Sequence, residues 1–231
     1  MSANIQVAYE SNPNQRTPCV LVLDASGSMM ERGVEGKTRI EQLNAGMRVL
    51  EEELKKDDVA QGRVQLSIVC VGGPTGGAEV LMDWTDVAYF SSFDLVADNQ
   101  TPLAEGLLLA LQLVEDGKRD LRANGISYTR PWIMVITDGA PTDSDERWTQ
   151  AASECRQAIS ERKCVIYPIG VEGADLGRLA QISDQPPLSL TGLKFSELFV
   201  WLSKSMSTVS KSAPGATVNL PSVAQWASAP T

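Results

Sequence analysis

The sequence predicts an α/β fold, a mostly parallel sheet covered on both faces by helices, and three observations predict it. Short continuous apolar runs, such as Cys19-Val20-Leu21-Val22-Leu23 and Trp132-Ile133-Met134-Val135-Ile136, have the pattern of strands buried on both sides. Longer segments with apolar residues at helical spacing alternate with them, as in a sheet wound with helices. Two of the apolar runs end in an aspartate, Asp24 and Asp138, at the position where such sheets hold ligands.

Taken in order, residues 18–24 read as the first buried strand, followed by a polar loop through about Gly36. Thr38-Arg39-Ile40-Glu41 is a capping box, and Ile40, Leu43, Met47, Leu50 and Leu54 place an amphipathic helix over 39–56. Residues 64–71 form a second strand. Gly72-Gly73-Pro74-Thr75-Gly76-Gly77 is a turn too short for a parallel crossover, so 78–84 is an antiparallel partner. Thr101-Pro102 opens a helix to about Arg122, with Pro102 at its first position.

The strand 132–137 is followed by a helix over 144–162 capped by Asp143 or Ser144, then a strand at 164–170 and a short helix near 174–181. Leu188-Ser189-Leu190 is a last edge strand, and Phe195, Leu198, Phe199, Leu202 and Met206 mark a helix over 195–209. The organisation expected is a single domain over 1–211. An irregular Ser-, Ala-, Pro- and Gly-rich tail, 212–231, docks on it through Leu220, Val223 and Trp226.

Composition narrows the function. Apolar residues make up 43% of the 231, enough for a substantial core, and the net charge is −9. That charge argues against nucleic acid or an anionic membrane as partner, because phosphate binding needs a basic surface. There is no histidine, which removes the usual general base and the usual nitrogen ligand for a metal. The four cysteines, Cys19, Cys70, Cys155 and Cys164, have no C-x-x-C spacing and read as buried thiols. The opening Met-Ser-Ala-Asn-Ile-Gln has no basic or apolar leader character, and no apolar run approaches the roughly 18 residues of a membrane span. A soluble cytoplasmic protein is the expectation.

Asp24-Ala25-Ser26-Gly27-Ser28 places a carboxylate and two hydroxyls on the turn after the first strand. All are hard oxygen ligands of the kind Mg²⁺ prefers. Thr101 and Asp138 fall on the same predicted rim. Each residue alone is an ordinary turn or cap residue, but Asp24, Ser26, Ser28, Thr101 and Asp138 together and in this order form a candidate metal site. Gly36-Lys37-Thr38 does not make a phosphate-binding loop: Glu31 stands where the first glycine is required, and Thr38 is accounted for as a cap. Asp143, Asp145 and Glu146 read first as charges complementing a helix N-terminus, and otherwise as tuning the metal or its partner. The tryptophans read as packing residues, with Trp148 on an early helical turn open to exposure.

On these motifs, Asp24-Ala25-Ser26-Gly27-Ser28, Thr101-Pro102-Leu103 and Ile136-Thr137-Asp138-Gly139, the chain resembles the von Willebrand factor A (vWA) domain family over about residues 15–210. The resemblance implies a doubly wound, Rossmann-like, six-stranded sheet in the order 3-2-1-4-5-6, with strand 3 as the antiparallel edge. It also implies a metal-ion-dependent adhesion site (MIDAS). There Ser26, Ser28 and Thr101 offer hydroxyls to Mg²⁺, with Mn²⁺ or Ca²⁺ as alternatives, and Asp24 and Asp138 act directly or through water. An acidic side chain of a protein partner would complete the coordination.

Met82-Asp83-Trp84-Thr85-Asp86 and Thr137-Asp138-Gly139-Ala140-Pro141-Thr142-Asp143 are similar to the bacterial TerY-like subgroup of tellurite-resistance and stress clusters. That likeness implies work beside a protein kinase and a metal-dependent phosphatase. One departure is Asp98-Asn99-Gln100, where many relatives carry Gly-Gly, so bulkier residues bear on how Thr101 is presented. The function expected is a non-enzymatic interaction module in stress or defence signalling. An adaptor for an AAA+ chaperone ATPase and a Mg²⁺-dependent phosphohydrolase are the alternatives.

Overall fold

The structure, a computed structural model, describes residues 11–33, 36–212, 217–224 and 227–228. Its strands are β1 (Thr17–Ala25), β2 (Val64–Gly72), β3 (Ala78–Asp86), β4 (Trp132–Thr137), β5 (Val165–Gly170), β6 (Leu188–Leu190) and β7 (Ala227–Ser228). They form one sheet in the order β3-β2-β1-β4-β5-β6-β7. β1 pairs in parallel with both β2 and β4, β4 with β5, and β5 with β6. β3 is antiparallel to β2, as expected from the short turn between them. Six strands thus follow the expected order. The seventh corrects the expectation of a wholly irregular tail: Ala227–Ser228 adds antiparallel to β6, so Leu188–Leu190 is not the outermost strand.

The helices are α1 (Arg39–Lys55), α2 (Asp58–Arg63), α3 (Leu103–Ala123), α4 (Asp145–Ser160), α5 (Leu176–Leu179) and α6 (Phe195–Ser210). Period-two alternation divides β1 between two cores. Cys19, Leu21, Leu23 and Ala25 join residues of α1 and α6, while Val20 and Val22 join those of α3 and α4. β1, β2 and β4 are buried along their whole length, whereas β3 at the edge is partly exposed.

Local chemistry explains the helix starts. Thr38 Oγ1 accepts from the Glu41 amide at 3.2 Å and Glu41 Oε2 accepts from the Thr38 amide at 2.7 Å, which completes the predicted capping box. α2 was not expected from the sequence, because six residues are too few for a readable period. Its N-cap is Asp57, which accepts from the amides of Val59 and Ala60. α3 begins at Leu103 with Pro102 as its N-cap, one residue later than predicted. Ser144, rather than Asp143, caps α4 by accepting from the Arg147 amide.

Packing settles the remaining residues. Trp148 is buried, as a packing residue, and its indole donates to Gln181 Oε1 at 2.8 Å, which closes the alternative of exposure. Trp132, Tyr167 and Trp201 form an aromatic cluster. The Trp201 indole donates to the Pro221 carbonyl at 2.8 Å, and Val218, Leu220 and Val223 pack on the core of the α1 and α6 face. Trp226 lies outside the described residues. All four cysteines are free and buried, and burial pushes the Cys70 and Cys164 thiols up to about 11.

Candidate metal centre

The register of the two central strands creates the site. Leu23 lies beside Ile136, so the next residues along the chain, Asp24 and Thr137, emerge together at the carboxyl edge of the sheet. This is the switch point, where the strand order reverses between β1 and its neighbours β2 and β4.

Asp24 is fully buried. Its Oδ1 accepts from the Ser26 amide at 2.8 Å and its Oδ2 accepts from the Thr137 hydroxyl. Burial pushes the Asp24 carboxyl up from its ordinary value, hydrogen bonds from Ser26 and Thr137 oppose the rise, and neighbouring Asp138 adds to it. The chain then enters a 3-10 turn over Gly27–Met30 that turns Ser28 back toward Asp138. Ser26 Oγ and Ser28 Oγ are 3.0 Å apart, and Ser28 Oγ donates to Asp138 Oδ1 at 2.6 Å.

Thr101 is brought in from the loop before α3. Its amide donates to Thr142 Oγ1 at 3.1 Å and its carbonyl accepts from the Thr142 amide at 3.0 Å, which ties it to the loop after β4. On the other side, the Gly27 amide donates to the Asn99 carbonyl at 2.9 Å and the Asp98 amide to the Ala25 carbonyl at 2.9 Å. The departure at Asp98-Asn99-Gln100 is therefore accommodated. Asn99 adopts φ 61°, a left-handed conformation that asparagine tolerates, and its side chain donates to the Gly73 carbonyl at 2.9 Å. Gly72 permits this close approach: with φ +82°, it comes so near the Gln100 carbonyl that a Cβ would lie 2.6 Å from its oxygen.

Gly139 forms the floor. A Cβ there would stand 3.3 Å from Thr101 Oγ1, 3.7 Å from Ser28 Oγ and 3.9 Å from Asp24 Oδ2. Oxygens from three loops thus converge on a space kept open by a missing side chain. The structure brings all five predicted residues to one rim.

The donor set suits a hard divalent cation. Oxygens held at about 2.1 Å from an octahedral cation are about 3 Å from their neighbours, and the Ser26–Ser28 separation of 3.0 Å matches that edge. A hydroxyl that donates to a carboxylate still has lone pairs for a cation, so the Ser28–Asp138 bond is compatible with ligation. Among the described residues no three His, Cys, Asp or Glu side chains cluster to hold a metal, so a cation here would depend on hydroxyls.

Two contributors escaped the sequence reading. Thr137 orients Asp24; its signal was a hydroxyl ending an otherwise aliphatic buried run. Arg39 is the second. Its Nη1 lies 2.7 Å from Asp138 Oδ2 and 3.0 Å from Glu31 Oε2, and 3.4 Å from the Ser28 carbonyl. A cation at the first position of a helix opposes the dipole, and that local misfit was the available signal. The acidic residues beyond β4 are mostly structural. Asp143 Oδ2 accepts from the Ala104 amide at 2.9 Å, at the start of α3, and Asp145 pairs with Arg178 at 2.7 Å.

Solved structures share this fold. Proximal thread matrix protein 1 of the mussel byssus superposes with a TM-score of 0.56 at 14% identity, over 85% of this chain and 49% of that one. The pilus adhesin SpaC of Lactobacillus rhamnosus GG gives 0.64 at 13% identity, over 85% and 32%. The vWF domain of the type V pili tip protein Mfa5 of Porphyromonas gingivalis gives 0.63 at 10% identity, over 88% and 99%. The chain thus spans about half and about a third of the first two. At these identities the likeness is one of fold. No curated protein matches the sequence. The family described as von Willebrand factor type A domain matches residues 19–140, from β1 through the Asp138 loop. The chain belongs to the von Willebrand factor type A domain family.

Proposed function

We propose that this protein is a non-enzymatic, metal-ion-dependent protein-interaction module. The observation that carries the reading is the convergence of the Ser26, Ser28 and Thr101 hydroxyls with the Asp24 and Asp138 carboxylates around the open floor at Gly139. Those five residues would hold Mg²⁺, with Mn²⁺ or Ca²⁺ as substitutes. A bound cation supplies a Lewis-acidic position that an acidic side chain of a partner can occupy.

The chain's own residues prepare that position. Thr137 and the Ser26 amide aim the Asp24 carboxylate, Ser28 aims Asp138, and the Thr142 clamp holds Thr101 in place. Catalysis has less support. The serine hydroxyls have no histidine to activate them, and the Asp138 carboxylate beside Ser28 is shared with Arg39.

The finer placement rests on the phrases Met82–Asp86 and Thr137–Asp143. It puts the module in the TerY-like group, in the cytoplasm, beside a kinase and a metal-dependent phosphatase in tellurite or stress response. Among the described residues no helix is long and apolar enough to cross a membrane. The direct test is a partner pull-down with Mg²⁺ and with chelator, using the wild type and Asp24→Ala. Capture should require both the metal and Asp24; capture that survives chelation and the substitution rejects the metal-bridged reading.

A further inference from the structure

Arg39 sets the charge of the site, and its contacts are specific. Its side chain is only 12% exposed and lies against Asp138, whose side chain is fully buried. Its remaining acidic neighbour, Glu31, is 66% exposed. The buried charged groups at the site are therefore two carboxylates, Asp24 and Asp138, and the permanent guanidinium of Arg39. Without Arg39, a divalent cation would neutralise the two carboxylates and leave little net charge to attract a further anion. With Arg39 in place, the same cation gives these three side chains and the ion one excess positive charge, which exposed Glu31 offsets until it is displaced, in a setting where burial strengthens the field.

We propose, resting on the metal-site reading above, that Arg39 is the specificity-determining residue of the site. It weakens the hold on the metal alone and makes metal and Arg39 together a two-point receptor for one partner carboxylate. Glu31 occupies the outer side of Arg39 as a tethered counter-ion, and the incoming carboxylate displaces it. Metal and carboxylate then bind cooperatively, each tightening the other by the same factor. The partner recognised is a protein segment presenting a single Asp, Glu or terminal carboxylate.

The test measures Mn²⁺ binding by the loss of free Mn²⁺ electron paramagnetic resonance signal, with and without acetate as the carboxylate probe. Arg39→Met should bind Mn²⁺ alone about tenfold more tightly than wild type, because a like charge has been removed. Acetate should tighten Mn²⁺ binding to wild type and do so clearly less for Arg39→Met, which keeps only the metal as a contact. Arg39→Lys, which keeps the charge, should stay close to wild type, and Glu31→Gln should enhance the acetate effect. Thermal unfolding of each variant checks the fold. The sign is decisive, since a residue that merely braces Asp138 would weaken metal binding when lost. Wild-type binding with Arg39→Met equal or weaker overturns this inference and leaves the metal site standing. Failure of both proteins to bind millimolar Mn²⁺ overturns the metal reading and this inference with it.

Discussion

Among the described residues two largely buried aspartate–arginine pairs lie at opposite ends of the sheet, and their surroundings differ. At the amino edge of the parallel strands, Arg16 Nε lies 3.3 Å from Asp86 Oδ1, with side chains 0% and 8% exposed. The Arg16 guanidinium also donates to the carbonyls of Asn14 at 2.6 Å and Asn12 at 2.8 Å. This end is sealed. At the carboxyl edge, Arg39 shares Asp138 with a serine hydroxyl and reaches outward to an exposed glutamate. The same two side-chain types are enclosed at one end of the sheet and reach an exposed glutamate at the other. What differs is the supply of fixed backbone acceptors and of water.

The largest expected effect breaks the sealed pair. Arg16→Met leaves Asp86 as a buried, uncompensated charge and should cost about 3–5 kcal/mol, measured by urea unfolding, with Mn²⁺ affinity unchanged in the folded fraction. The next breaks the open end. Asp24→Asn should lower Mn²⁺ affinity about a hundredfold or more, since even outer-shell changes cost 10- to 100-fold, while the urea midpoint moves less than for Arg16→Met. Equal destabilisation by the two variants would erase the distinction between the ends.

A finer test leaves every charge in place. Gly139→Ala puts a methyl 3.3 Å from Thr101 Oγ1 and should reduce Mn²⁺ affinity about tenfold. A calorimetric titration that finds full affinity would mean that the floor is not where the cation sits.

The smallest effect comes from a third pair, exposed to water. Asp57 caps α2 and pairs with Lys211 of the α6 end at 2.7 Å. Burial raises its carboxyl, but hydrogen bonds from Lys211, Ser207 and the α2 amides outweigh that and hold it at about 2. A depressed carboxyl contributes stability that is fully present above the ordinary value near 3.8 and lost as pH falls toward 2. After allowance for solvent screening the loss should be about 1 kcal/mol. Acid titration of stability should show a shallower fall between pH 4 and 2 in Asp57→Asn than in wild type.

Much of this is legible in the sequence. The central strands are apolar throughout because they are buried on both faces, so the runs at 18–24 and 132–137 could be read directly. The Thr38–Glu41 box is a purely local device and was equally readable. The metal-site candidates stand out because hydroxyl and carboxylate side chains follow the strands in the order that the family resemblance implies. What escaped notice is non-local. β7 has two residues and takes its identity from pairing with β6. Asp143 looks like a cap for the helix after it, yet it serves the start of α3, which folding brings alongside. Trp148 reads as a packing residue, but that its indole donates to Gln181, 33 residues on, is not readable locally.

By itself, the sequence determined the strand and helix alternation, the antiparallel β3 and the chemical class of the donors. Periodicity, turn length and side-chain type are properties of neighbouring residues. Only the tertiary structure decided the charge of the site. In sequence Arg39 shows only a local misfit, a cation at the first position of a helix, with nothing to name its partner. The register that places β1 beside β4 brings Asp138 against it, and the depth of that contact keeps water from screening the pair.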